Sequence, residues 1–309
     1  MTNQIDRRKT NKKKRGTNKK KTPNTKPMVK RGTNKKKTPN TKPMVKRGTK
    51  KKKTPKHTIR TKTFYASVKG QREQNEDCHV ISDNGVNFYW GVYDGHGGKD
   101  VSAYVSNTLA PKLLMKKSIN GYTNTHILQT HDYVQSTLSD NKNVECMHTG
   151  STSLSMIITG DKLQIANVGD CRAVLCDGDG VAQVLSMDHK PEWGPEQKRI
   201  EGLGGVITRD QGFEVYRIKN LSVSRAFGDD RASKYVIHTP EIKKVKVKPS
   251  DRFVVLACDG LWDVMGSQDA VNFVIQKNTK SNIAMSLCNH AINSGSGDNV
   301  TAMVIYLNT

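Results

Sequence analysis

Apolar positions are sparse in the first 62 residues and then arrive in short, regularly spaced runs. Seven runs, at 77–82, 87–94, 153–159, 163–168, 172–176, 253–258 and 300–307, are rich in β-branched, aromatic and other apolar residues. They are bounded by Gly, Asp, Asn or Ser, so they predict strands. Beyond Lys99 the period changes: Val101, Val105, Leu109 and Leu113 recur every fourth residue, which predicts a helix. A second helix is predicted where Ser267 can N-cap the segment holding Ala270, Val271, Phe273 and Val274. The links ITGDKL and CDGDGV are too short for a crossover, so neighbouring strands should form antiparallel hairpins. That counts against a doubly wound parallel sheet.

Charge divides the chain in the same place. The 309 residues carry 51 Lys+Arg and 28 Asp+Glu, a net charge of +23. Residues 1–62 hold 26 of the basic groups and one acid, Asp6, whereas the remaining 247 residues hold 25 basic and 27 acidic groups. The basic character therefore belongs to a tail on a near-neutral body, and nucleic-acid binding cannot be read onto the body from net charge. The tail repeats KRGTNKKKTPNTKPMV at 14–29 and 30–45, with a partial third copy at 46–55. Each copy offers only Met and Val for burial, so a stacked solenoid is ruled out and disorder is expected for 1–62, with one folded domain over 63–309. No window reaches the roughly 18 uncharged apolar residues of a membrane helix. Six cysteines lie scattered without a C-x-x-C pair, which predicts reduced thiols and an intracellular protein, cytoplasmic or nuclear.

Five carboxylate-bearing segments fall where strands should end: QREQNEDCH (71–79), YDGHGG (93–98), NVGDCR (167–172), ACDGLWD (257–263) and SGDNVT (296–301). A lone Asp-Gly is usually a turn, but five such places in one body argue for a shared cleft. Carboxylates gathered without His or Cys partners suit hard divalent cations, Mg²⁺ or Mn²⁺, better than Zn²⁺. If Glu76, Asp94, Asp259 and Asp298 converge, their mutual repulsion would need two such ions to cancel it.

These segments, in this order, resemble the metal-dependent Ser/Thr protein phosphatases of the PP2C (PPM) family. The likeness runs from about residue 64 to 308 and includes GVYDGHGG, GSTSLSMII, LQIANVGDCRAVL, DHKP, LSVSRAFGD, LACDGLWDVM and GDNVTAMVI. It implies an α+β fold, a four-layer α/β/β/α sandwich of two antiparallel sheets flanked by helices. It also implies hydrolysis of phosphoserine and phosphothreonine by a hydroxide bridging two metal ions. By matching positions, Glu76, Asp94 and the carbonyl of Gly95 would hold one Mg²⁺ or Mn²⁺, and Asp94, Asp259 and Asp298 the other. Asp77 would hold a metal-bound water, Arg72 would clamp the substrate phosphate, and His96 would be the general acid. Asn299 would support the site. Asp170, with Asp259, corresponds to a weaker third metal position, although GDCR replaces the more usual GDSR and Cys171 removes a hydroxyl there. Ser224 and Arg225 border the cleft in the family and are expected to be structural here. The stretch after Asp230 is short, so any flap over the cleft should be small.

Two other classes compete with the phosphatase reading. A catalytically inactive scaffold of the same fold would be expected to lose metal carboxylates, and this chain keeps all of them. A protein acting through its tail would bind nucleic acid or an acidic partner by unspecific charge contacts. The expected partners are thus a phosphoprotein substrate and a polyanion at the tail, with no membrane and a monomeric state.

Overall fold

Six helices and two five-stranded sheets with short accessory strands make up the computed structural model, which describes residues 59–212, 214–277 and 282–307. All but the last four residues of the expected tail lie outside the described residues. In chain order the first half holds β1 (Thr61–Val68), β2 (Cys78–Asp83), β3 (Phe88–Tyr93), β4 (Gly95–His96), α1 (Asp100–Leu114), α2 (Asn124–Ser139), β5 (Gly150–Ser151), β6 (Ser153–Thr159), β7 (Lys162–Val168) and β8 (Arg172–Cys176). Then follow β9 (Ala182–Val184), α3 (Gly194–Gly202), β10 (Thr208–Arg209), β11 (Tyr216–Arg217), β12 (Phe227–Gly228), β13 (Glu241–Lys246), β14 (Phe253–Ala257), α4 (Asp259–Trp262), α5 (Ser267–Lys277), α6 (Ile283–Asn293) and β15 (Val300–Leu307).

One sheet has the order β1-β15-β14-β8-β9 and the other β13-β7-β6-β3-β2, with antiparallel pairing throughout. Alternation along β14 explains the layering. Val254 and Leu256 point into a cluster shared with Met303, Ile305, Trp90, Leu154, Met156 and Ile165 from both sheets. Phe253, Val255 and Ala257 point the other way, into a cluster with Ala270, Val274, Leu287 and Ala291 of α5 and α6. On the outer face of the second sheet, Tyr93 and Val168 meet Val101, Val105 and Leu109 of α1 and Val134 of α2. Tyr89 and Ile157 meet Leu113 and Ile127 in an adjoining cluster. The result is the expected four-layer α/β/β/α sandwich. With both faces of each sheet covered at its centre, the inner strands β3, β6, β8, β14 and β15 are buried almost along their whole length.

The register brings the acidic segments together. In the first sheet, Val68 pairs with Val300 and Ala257 with both Ala302 and Arg172, so the end of β1, the start of β15, the end of β14 and the start of β8 share one edge. In the second, Cys78 pairs with Tyr93 and Ser153 with Val168, so the start of β2, the ends of β3 and β7 and the start of β6 share another. The links 69–77 and 169–171 join these two edges directly, which places all five predicted segments at one end of the sandwich. Among the described residues no helix is long and apolar enough to cross a membrane.

Candidate active site

At that end a cavity of about 650 Å³ is lined by Glu76, Asp94, Gly95, Asp170, Asp259 and Asp298, together with Arg72 and His96. Eight of the nine predicted site residues thus face one space. Asp77 does not line it but lies buried beneath, where its Oδ2 accepts from the Thr301 hydroxyl at 2.6 Å and from Cys258 Sγ at 3.4 Å.

Each carboxylate is set by a backbone that is itself tied down. Asp94 directly follows β3, and its N–H donates to Thr152 Oγ1 at 3.0 Å while its carbonyl accepts from the Thr152 N–H at 2.9 Å. Asp259 begins α4, in its first turn, where a carboxylate is favoured by the helix dipole. The next residue must be Gly260, because a Cβ there would collide with the Asn299 carbonyl, so the loop carrying Asp298 can close against α4. Asn299 accounts for the supporting role expected of it. Its side chain accepts from the Glu76 N–H at 2.8 Å and donates to the carbonyls of Lys69 and Gln74, clamping the segment that carries Glu76.

The charges are uncomfortable without a counter-ion. Burial, followed by the Asp259, Asp77 and Asp170 carboxylates, pushes Asp94 well above the usual carboxylate range. Burial and then Asp170 push Asp259 up to about 8, against the opposing pull of Lys190. Asp77 is pushed up to about 6, chiefly by burial, and its Oδ1 is buried without a hydrogen-bond partner. Oxygens of Asp77 and Asp94 and the Cys258 sulfur lie within 4.8 Å of one another. The mutually repelling carboxylates that line the cavity, with an orphaned oxygen and a protonated thiol behind them, fit hard divalent cations.

His96 sits on β4 in a three-stranded ribbon, β12-β5-β4, in which Gly150 pairs with both His96 and Gly228. This places Asp229, the residue after β12, beside the imidazole: His96 Nε2 lies 2.7 Å from Asp229 Oδ2. Burial lowers the His96 pKa, but the hydrogen bond and charge of Asp229, aided by Asp170 and Glu76, outweigh it and leave the imidazole above its ordinary value. Arg72 donates from Nη2 to Asp298 Oδ2 at 2.7 Å and from Nε to the Gly297 carbonyl at 3.3 Å, so it borders the carboxylates through an exposed ion pair.

Two functional neighbours were missed in the sequence. Asp229 closes LSVSRAFGD, and its signal is a Gly-Asp step like those at Asp170 and Asp298. Lys190, in DHKP, forms an ion pair with Asp170 and lies 3.9 Å from Asp259, so the site expected to hold a third metal contains an ammonium group. Cys171 is fully buried, with its Sγ 3.1 Å from the same Thr152 hydroxyl that anchors Asp94. Burial and the Asp94 and Asp170 carboxylates hold its thiol well above its usual range, so it stays protonated. Ser224 is fully buried and Arg225 pairs with Glu196 at 2.6 Å, which makes both structural. The segment bordering the cleft lies on both sides of Asp230, with Arg217 and Lys219 to Val223 before it and only Arg231 and Ala232 after it; residues 194–237 contain α3, β10 and β11 and an apolar cluster of their own around Ile200, Ile218 and Val236.

Comparison with known proteins agrees with this architecture. The family model described as Protein phosphatase 2C matches residues 62–300. Over 245 residues, 78% of the chain, the sequence is 37% identical to the Arabidopsis thaliana proteins named probable protein phosphatase 2C 71 and probable protein phosphatase 2C 59. The matched part spans 54% of the first and 78% of the second, so the chain accounts for about half the length of one relative and most of the other. Among solved structures, the chain resembles a serine-threonine phosphatase 2C from Toxoplasma gondii, with a TM-score of 0.72, 21% identity, and coverage of 81% of this chain and 96% of that one. It also resembles a C. elegans sex determining protein, with a TM-score of 0.73, 24% identity, and coverage of 79% and 64%. At these identities the two structures speak for the fold alone.

Proposed function

Since the chain belongs to the protein phosphatase 2C family, we propose that it is a protein serine/threonine phosphatase that requires Mg²⁺ or Mn²⁺. The observation that carries this reading is the single cavity in which Glu76, Asp94, Asp259 and Asp298 meet Arg72 and His96. Glu76, Asp94 and the Gly95 carbonyl would hold one cation and Asp94, Asp259 and Asp298 the other, with Asp170 and Asp259 available to a third. When bound, such ions supply Lewis-acid charge that lowers the pKa of water toward neutrality and screens the phosphoryl oxygens.

The chain's own residues do the rest. Arg72 offers a planar guanidinium to the phosphoryl oxygens, and its Nη1 has no hydrogen-bond partner among the described residues. Asp77 would orient a water, a role supported by its unpaired Oδ1 near Asp94. As a bond forms from the water oxygen to phosphorus and the ester P–O bond breaks, the departing Ser or Thr oxygen takes the proton held on His96, and the proton that the attacking water gives up passes to solvent, from which His96 is reprotonated. Asp229 keeps that proton available by stabilising the imidazolium.

The test is phosphate release from a phosphothreonine peptide with Mn²⁺, Mg²⁺ or EDTA. Turnover should appear with either ion and vanish with the chelator. Asp94→Asn and Asp259→Asn should each lower it by at least about a hundredfold. Full turnover by metal-stripped protein would sink the metal-dependent reading.

A further inference from the structure

A second group of side chains lines the same cavity with the opposite sign: Arg217, Lys219 and Arg231, beside His148 and Asn220. The first two cations and Asn220 lie at β11 and the turn after it, and Arg231 follows β12. This wall has its own small core, in which Ile218, Val223 and Ala232 are buried. Ile218 and Leu221 exchange both backbone hydrogen bonds at 2.9 Å across a two-residue turn, whose central residues Lys219 and Asn220 take φ of 52° and 72°. That left-handed pair is the geometry of a type I′ reversal, which favours Asn and Gly and disfavours a long side chain such as lysine. A backbone outlier that brings a lysine to the wall of a reaction cavity points to a use for the lysine.

The three cations are not equally committed. Arg217 is neutralised by Asp210 at 2.6 Å. Lys219 and Arg231 have no carboxylate partner among the described residues, and Arg231 donates instead to the His148 ring, 3.0 Å from Nδ1. Both are exposed, so both are available to an anion entering the cavity.

Building on the phosphatase reading, we propose that Lys219 and Arg231 form a subsite for a second anionic side chain of the phosphoprotein. The enzyme then prefers phosphothreonine or phosphoserine flanked by Asp, Glu or another phosphorylated residue. Exposed cations of this kind act on capture of the substrate and not on the bond that breaks, so their contribution lies in KM and weakens with salt.

The experiment compares one phosphothreonine peptide carrying Glu, phosphoserine or Lys at its flanking positions, in the presence of Mn²⁺. The enzymes are the full-length protein, Lys219→Asn, Arg231→Gln and the double variant. Asn tolerates the left-handed conformation, so Lys219→Asn removes the charge and keeps the turn. The unaltered protein should show a KM roughly fivefold lower for the anionic flanks than for the Lys flank. The double variant should lose that difference at unchanged kcat. p-Nitrophenyl phosphate has no flank, and its turnover should stay within about twofold in every variant, which guards against misfolding. Discrimination for phosphoserine and not Glu would narrow the subsite to a second phosphate. Equal KM values for all flanks in the unaltered protein, or discrimination that survives in the double variant, would overturn the proposal. Failure to release phosphate from any substrate, the aryl phosphate included, would instead refute the phosphatase reading and this subsite with it.

Discussion

At the scale of single residues, the contact that the proposed mechanism turns on is His96 with Asp229, because it would couple the proton donor to a charge that favours its protonated form. Gly150 makes the pair possible, since a Cβ at that position would strike both Asp229 Oδ2 and His96 Nε2. Removal of the donor in His96→Ala should lower kcat on phosphopeptides by roughly 10²–10⁴. The loss should be smaller on aryl phosphates, whose phenolates leave without a proton. Asp229→Asn keeps the imidazole but removes the charge that favours its protonated form. It should therefore give a partial loss, with the alkaline limb of the kcat profile shifted to lower pH. Equal losses on both substrate types for His96→Ala, or an unmoved profile for Asp229→Asn, would leave His96 a structural role only. Asp94 and Asp259 were legible in the sequence because each follows an apolar strand and precedes a glycine, whereas Glu76, Asp298 and His96 were reached through the ordered resemblance of their motifs. Asp229 and Lys190 were not, because their roles depend on pairings 133 and 20 residues apart that no local pattern encodes.

At the scale of elements, the sequence was clear where burial is uniform and silent where it is mixed. Strands at 153–159, 172–176 and 300–307 coincide with β6, β8 and β15, and α1 begins one residue after Lys99. β13 was missed because it reads EIKKVK, an edge strand whose lysines discourage further pairing, and β1 because its four apolar residues in TKTFYASV neither alternate nor form one unbroken run. The Ser267 cap was displaced. Ser267 is already helical, the Gly266 carbonyl accepts the first helical bond, and the Ser267 hydroxyl receives Arg172. α2 escaped notice because its buried stripe of Ile127, Thr130, His131, Val134 and Leu138 is partly polar, although Thr123 caps it as a sequence rule would allow.

That stripe gives the element its own pH dependence. His131 is fully buried against Phe227, donates from Nδ1 to the Ile127 carbonyl at 2.8 Å, and leaves Nε2 unpartnered. Burial pushes its pKa down to about 4, so the fold holds it neutral. The unfolded chain takes up the proton below about pH 6.5 and the folded chain does not, so stability is complete above that pH and declines as pH falls toward 4. The loss should reach roughly 3 kcal/mol, at about 1.4 kcal/mol per pH unit. His189 is buried and pushed down to about 4 in the same way, so urea unfolding at pH 7.5, 6 and 5 should show a slope in the unaltered protein that is steeper than in His131→Leu by this amount. Identical slopes would mean that His131 is not the titrating group.

For the whole molecule, the uneven charge raises a question of targeting rather than of fold. Ile59 is buried at 5% exposure and β1 starts at Thr61, so a shortened chain that preserves the sandwich must begin at residue 59 and not at the compositional boundary near Lys62. The residues removed, 1–58, carry 24 Lys and Arg against the single acid Asp6, and the rest of the chain is then balanced at 27 of each sign. Charge of that density and poor in apolar content favours contact with phosphate backbones or acidic proteins through counterion release, with no base-specific readout. Aromatic residues that would stack on bases are missing from it. We predict that full-length protein binds duplex nucleic acid or heparin with a log affinity that falls linearly with log salt, and that the chain from residue 59 does not. Both forms should turn over a phosphopeptide at the same kcat, because every residue lining the reaction cavity lies between Arg72 and Asn299. Each repeat also holds a Thr-Pro step, at Thr22, Thr38 and Thr54. Phosphorylation there would add about −1.5 to −2 charges per site and flatten the salt slope by a matching amount. Polyanion binding retained by the shorter chain, or turnover lost in it, would show that the basic segment and the sandwich do not divide targeting and catalysis between them.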